Sequence, residues 1–301
     1  MAMSNAAKWA LGIVAGVFVF GAALLFLFAI MIFWTPEDET LSTSGKKVAI
    51  VELNDVILSS KEIVRQFKKY RENSSVRAIV FRIESPGGGV SASQEIYEEV
   101  KKTRESGKPV VVSMGSVAAS GGYYVACGAS RIMANPGTIT GSIGVIFQYL
   151  HINELLKKIG VDAATYKTGK YKDAGSPFRN PTEDDRVLYS QLLADVYDQF
   201  VEVVATERKL KRATVIKYAD GRVFTGRQAH EYGFVDTLGT FQDAIGLAAK
   251  LGDIEGKPRV IQETQKRRLW DFLIGDAVSE LTRLRSELLE QPIVQYKFIA
   301  P

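Results

Sequence analysis

The sequence predicts an α/β domain carried behind an N-terminal transmembrane helix. Three observations predict it. Strand-like apolar runs alternate with helix-periodic stretches from residue 47 onward, the pattern of parallel strands joined by crossover helices. The stretch Trp9–Trp34 contains no charged residue and exceeds the roughly 20 residues a bilayer-crossing helix needs. Finally, glycine-rich turns, Ser85–Val90 and Gly115–Gly122, follow two of the strand-like runs and let backbone come close to a ligand.

Taken in order, residues 1–8 form a short tail. Trp9 and Trp34 bracket the apolar run as interfacial aromatics do. A cleaved leader would have an apolar core of about 7–15 residues and a small-residue cleavage site, so a retained anchor over residues 9–34 is expected. Lys8 and the terminal amine favour an inward N-terminus, against Lys46 and Lys47 after the span. The following domain is expected to be extracytoplasmic, on a single-pass protein of the cell membrane. Residues 35–46 read as a polar linker, residues 47–265 as the main domain, and residues 266–301 as a helix and an extended tail.

Within the domain, Lys47–Leu53, Arg77–Ile83, Val110–Met114, Arg131–Ala134 and Ala163–Thr168 read as strands. Thr138–Phe147 is apolar and β-rich. Lys61–Arg71, Ser91–Glu105, Ser120–Ala129 and Ile152–Ile159 read as helices. Asp184–Lys209 is a long helix whose apolar residues recur every four positions from Leu188 to Val204, long enough to reach a neighbouring subunit. Short helices follow over residues 214–251, then a late strand at Arg259–Gln262. Leu269–Leu289 is helical in period and suits either a membrane surface or a packed terminal helix. Pro292–Pro301 is apolar and extended, suited to lie in a groove as a self-ligand paired with a strand edge.

The totals narrow the function. The chain of 301 residues has 46% hydrophobic residues and a net charge of +4, which supports a packed core and gives no reason to expect nucleic acid. The single cysteine, Cys127, forbids an internal disulfide and reads as a small core residue. With only two histidines, His151 and His230, no HExxH pair and no Cys/His zinc cluster can be written. No metal or cofactor is expected.

Ser120, among small residues where a strand passes into a helix, is placed for a nucleophile. The helix start behind it offers free N–H groups to a developing anion. Ser85–Val90 suits either a phosphate or an oxyanion, with the Gly87 N–H as one donor; no P-loop pattern follows it. A serine nucleophile without histidine needs another base, and Lys167–Pro177 supplies lysines. A free lysine, with a pKa of about 10.4, is protonated at neutral pH, so burial or a nearby cation must bring it down. Hydroxyls in Thr138–Gly144 are suited to orient such an amine, Ser142 foremost.

Gly115–Tyr124, Ser85–Val90, Thr138–Val145 and Gly169–Asp173 together resemble the signal peptide peptidase A family in its short, single-domain form. The match runs in order over about residues 46–250, and the anchor fits it. The resemblance implies a ClpP/crotonase-like spiral fold and a serine/lysine endopeptidase. It implies Ser120 as nucleophile, Lys172 (the lysine just before Asp173) as general base, Gly87 and Gly121 as oxyanion hole, and Ser142 orienting the lysine. It further implies a homo-oligomeric ring in which serine and lysine meet across a subunit boundary, peptides left in the bilayer by secreted proteins as substrate, and signal peptide remnants above all. Two alternatives compete. A crotonase-like acyl-CoA enzyme would share the fold and the glycine oxyanion hole but needs neither anchor nor lysine. A non-catalytic scaffold ring would leave Ser120 idle.

Overall fold

A computed structural model describes residues 9, 13, 15–24, 26, 45–263 and 294–298. The chain divides into two units after Ser44. In the first, residues 15–24 are helical, with Val17, Phe18, Phe20 and Leu24 turned outward. Among the described residues no helix is long and apolar enough to cross a membrane, and the expected span Trp9–Trp34 is described only in part. The Leu269–Leu289 helix lies outside the described residues.

The second unit alternates strand and helix. Its elements begin β1 (Lys47–Asn54), α1 (Lys61–Glu72), β2 (Val76–Ser85), β3 (Gly87–Gly89), α2 (Val90–Glu105), β4 (Val110–Ala119) and α3 (Gly121–Ala126). They continue with β5 (Arg131–Ala134), β6 (Ile139–Gly141), α4 (Asn153–Lys158), α5 (Glu183–Arg208), α6 (Arg212–Tyr218) and β7 (Val223–Thr225). The last are α7 (Gly226–Glu231), β8 (Thr237–Leu238), α8 (Phe241–Leu251), β9 (Arg259–Gln262) and β10 (Gln295–Lys297).

The main sheet runs β7-β6-β4-β2-β1-β9 and is parallel except where β6 meets β7. β4 forks it. The first half of β4, Val111–Met114, pairs with β5, and its last three residues, Val117–Ala119, pair with β6. Ser120 follows directly on the half of β4 that pairs with β6. Between the halves the β2–β4 register slips, so that Ile83 faces Met114 but Ser85 faces Ala118.

Strand alternation explains the two layers. Val48 and Ile50 of β1 point to one face and meet Ala244, Ala248 and Ala249 of α8. Ala49, Val51 and Leu53 point to the other and join a larger core built with α1, α2, α3 and α5. In α1, Ile63, Phe67 and Tyr70 recur at helical spacing on the buried side, and Phe67 meets Phe81 edge-on, centroids 5.0 Å apart. Cys127 lies in this core, and burial pushes its thiol up to about 12.

Four expectations are corrected. Ala163–Thr168 forms no strand; it is irregular and exposed, and it pairs with no strand among the described residues. The β-rich Thr138–Phe147 contributes the short strand Ile139–Gly141 and an isolated bridge at Ile146. The helix expected from Ser120 starts at Gly121, because Ser120 has φ 54° and is not helical. The stripe of the long helix is buried only in its second half: Val196, Phe200 and Val204 are covered, whereas Leu192 is exposed.

Candidate active site

Ser120 stands between β4 and α3 with φ 54° and ψ −116°, a backbone state costly for any residue with a Cβ. Its neighbours hold it there. The Ser120 N–H donates to the Gly141 carbonyl at 2.8 Å, and its own carbonyl accepts from Tyr124 N–H at 2.8 Å. The side chain sits at the start of α3, where helix N–H groups lack intrahelical partners, and the residue is 1% exposed.

The two glycines expected at the oxyanion hole lie side by side. A Cβ added to Gly121 would fall 3.1 Å from the Gly87 Cα, and one added to Gly87 would fall 2.6 Å from the Gly121 nitrogen. Gly87 also has φ +99°, which an L side chain rarely adopts. Its N–H donates to Ser85 Oγ at 3.2 Å, and Ser85 Oγ donates to the Asp55 carbonyl at 2.6 Å.

A peptide strand already occupies this place. β10 pairs antiparallel with β3, setting Tyr296 opposite Gly88 and Lys297 opposite Gly87. On its other side, Gln295 exchanges both backbone hydrogen bonds with Ile146, each 3.0 Å. The extended tail expected from Pro292–Pro301 is therefore, over residues 295–297, a strand lying between two backbone edges. Tyr296 is fully buried, stacked on Tyr124 with centroids 5.2 Å apart and close to Phe200.

The hydroxyl-rich stretch divides by role. Thr138 Oγ1 donates to the Gly115 carbonyl and Thr140 Oγ1 to the Ala118 carbonyl, each at 2.7 Å, so both lace β6 to β4. Ser142 is different. It is buried with φ 51°, follows the Gly141 that binds Ser120, and its hydroxyl makes no hydrogen bond among the described residues.

Lys172 lies in a run of turns over residues 170–175 and is exposed. Within the chain its amine makes no hydrogen bond or ion pair among the described residues, so no bond joins it to Ser120. Its neighbours are tied. Asp173 accepts from Lys167 Nζ at 2.5 Å and from Arg179 Nη2 at 2.9 Å. The hydrogen bond from Arg179, then that from Lys167, holds the Asp173 carboxyl down to about 2.

Two contributors were not legible in the sequence. Glu84 fills the register slip, its carboxylate accepting from Ser116 and Val117 N–H at 2.9 and 3.0 Å. Gly115 makes room for it, since a Cβ there would fall 1.7 Å from Glu84 Oε2. The paired anomaly of an acid ending one strand and a glycine within the next was the available signal. The histidines take no part here: His230 Nδ1 is 3.2 Å from the Val235 carbonyl, and His151 packs beside Tyr149.

Serine chemistry directed at an extended peptide, on a forked parallel sheet, is the class that this fold and site define. The chain belongs to Peptidase family S49, which it matches over residues 102–255, and it is a serine peptidase. Residues 46–140 also match the Clp protease family. It is 44% identical over 215 residues to a Synechocystis sp. protein named as a protease, covering 71% of this chain and 77% of that one. It is 38% identical over 228 residues to an Enterococcus faecium protein named as a signal peptide peptidase, covering 71% and 66%. Protease 4 of Haemophilus influenzae is 34% identical over 256 residues, covering 80% of this chain; this chain spans only 40% of that relative.

Proposed function

We propose that the protein is a membrane-anchored serine endopeptidase that uses Ser120 and Lys172 to degrade signal peptide remnants. The observation that carries this reading is β10 lying antiparallel on the glycine strand β3 beside Ser120. A substrate peptide adding itself to the same edge would present its carbonyl to Ser120, main-chain bonds giving affinity. Lys172, as neutral amine, takes the Ser120 proton; the alkoxide attacks and an acyl-enzyme forms. The Gly121 N–H and the Gly87 N–H, the latter exchanging its bond to Ser85 Oγ for one to the substrate, stabilise the oxyanion, each such donor being worth about 2.7–4 kcal/mol. The lysine returns its proton to the leaving amine and then activates water.

The substrate follows from two supports. A relative carries the name of a signal peptide peptidase, and the uncharged run Trp9–Trp34 suits an anchor that holds the site near peptides left in a bilayer, with the domain on the extracytoplasmic side. The ClpP/crotonase-like spiral fold belongs to the same reading, supported by the Clp protease match. The partner is a second copy of this chain. Lys172 makes no side-chain bond among the described residues, and Leu155, Ile159, Tyr171 and Leu192 are exposed apolar side chains that a neighbour could cover; a ring would bring the lysine's amine to the serine of the next copy, beside Ser142.

The test is cleavage of an apolar signal peptide by the full chain in detergent. Ser120→Ala and Lys172→Ala are each expected to abolish cleavage while leaving the assembly's elution volume unchanged. Near-normal turnover by Lys172→Ala removes lysine from the mechanism; unlabelled Ser120 with a serine-directed probe in the native chain removes the nucleophile.

A further inference from the structure

We propose that Arg179 is a positioning residue for the lysine base. It ties the Lys172 turn to the start of α5 and holds the Asp173 carboxylate away from the Lys172 amine. This rests on the reading of Lys172 as base.

The geometry is a fork between two acids. Arg179 Nη2 donates to Asp173 Oδ1 at 2.9 Å and to Asp185 Oδ1 at 3.1 Å, and Nη1 donates to Asp185 Oδ2 at 2.5 Å. Asp185 is itself fixed. Its side chain is 2% exposed, it accepts from Thr182 N–H at 2.9 Å, and its N–H donates to Thr182 Oγ1 at 3.2 Å, closing the capping box of α5. One guanidinium thus joins the residue after Lys172 to the first turn of the longest described helix. Arg suits this because its planar donors match two carboxylates at once.

The second half of the argument is charge. Lys172 must lose its proton to act, and a carboxylate within reach favours the ammonium. Asp173 is adjacent in the chain, so its carboxylate is the natural competitor. Two cations occupy it, Arg179 and Lys167. The other charged and titratable groups around the turn are committed elsewhere. Lys170 pairs with Asp184 at 2.6 Å and lies over the Tyr171 ring. Tyr149 and Tyr189 face the Asp185–Arg179 side, where burial raises both phenols. With Arg179 gone, Asp173 keeps Lys167 on Oδ1 but loses the cation on Oδ2, which becomes the free acid oxygen of the residue next to the base.

The experiment measures kcat and KM for a fluorogenic peptide against pH, using the full chain assembled in detergent. Arg179→Met is expected to move the acid limb of kcat upward by about one pH unit, lowering kcat about tenfold below that limb and changing KM less than about twofold. Adding Asp173→Asn to Arg179→Met returns the limb to its native position, because the competing carboxylate is gone. Arg179→Lys keeps the limb in place. Should Arg179→Met fail to fold with Asp185 left unpaired, Lys167→Met removes the other cation from the surface and is expected to move the limb the same way. A limb that ignores both single substitutions, or that the added Asp173→Asn does not restore, overturns the proposal. Turnover surviving Lys172→Ala refutes instead the reading beneath it, so the two failures are distinguishable.

Discussion

Ser120 shows how much local backbone a nucleophile requires. Its positive φ is maintained by the bond to Gly141 and by the slip in β4 just upstream. Glu84 supports that slip by accepting from the Ser116 and Val117 N–H groups with its side chain. Gly115→Ala drives a methyl group into the Glu84 carboxylate, and such overpacking costs about 1–3 kcal/mol. We expect a lower melting temperature together with slower labelling of Ser120 by a serine-directed probe, both measured on the same preparation. A variant that melts lower yet labels at the native rate would uncouple the slip from the serine. Ser120 and the glycines around it stood out as small residues at a strand's end, a pattern that a plain tight turn shares, and the ordered resemblance of four stretches is what singled them out. The link among Arg179, Asp173 and Asp185 was not legible: in the sequence Asp173 and Arg179 are loop charges and Asp185 one acid at the start of a long helix, and only the fold brings the loop to the capping box of α5.

Among elements, β10 is the one whose placement decides most. Its extended, apolar character could be read directly, and its pairing with β3 and Ile146 makes it a peptide held as a substrate would be held. Deleting residues 292–301 is expected to raise kcat/KM for small peptides by opening that edge. It is also expected to lower the melting temperature, since Tyr296 leaves a gap between Tyr124 and Phe200. Unchanged peptide turnover would make β10 a docking strand alone. Where sequence patterns misled, the element lacked its neighbours within the chain. Ala163–Thr168 has strand-forming residues but pairs with no strand among the described residues, and Leu192 continues the apolar stripe of α5 past the core that covers Phe200.

At the scale of the molecule, the alternation of strand and helix was enough to give a parallel sheet covered on both faces, because Val48 and Ala49 must bury opposite sides. The fork at β4 was not legible, since it depends on which strand each half of β4 finds as partner. The proposed ring makes its own prediction. Subunits carrying Ser120→Ala and subunits carrying Lys172→Ala, each inactive alone, are expected to regain peptide cleavage when dissociated and reassembled together. Persistent inactivity of a properly reassembled mixture would place serine and lysine within one chain. Cys127, the chain's lone thiol, follows the short helix that Gly121 begins just after Ser120, and it is buried. A thiol dye therefore has no target in the closed molecule. Its uptake would keep time on the loosening of that helix, making the residue a built-in clock for how often the nucleophile's support breathes.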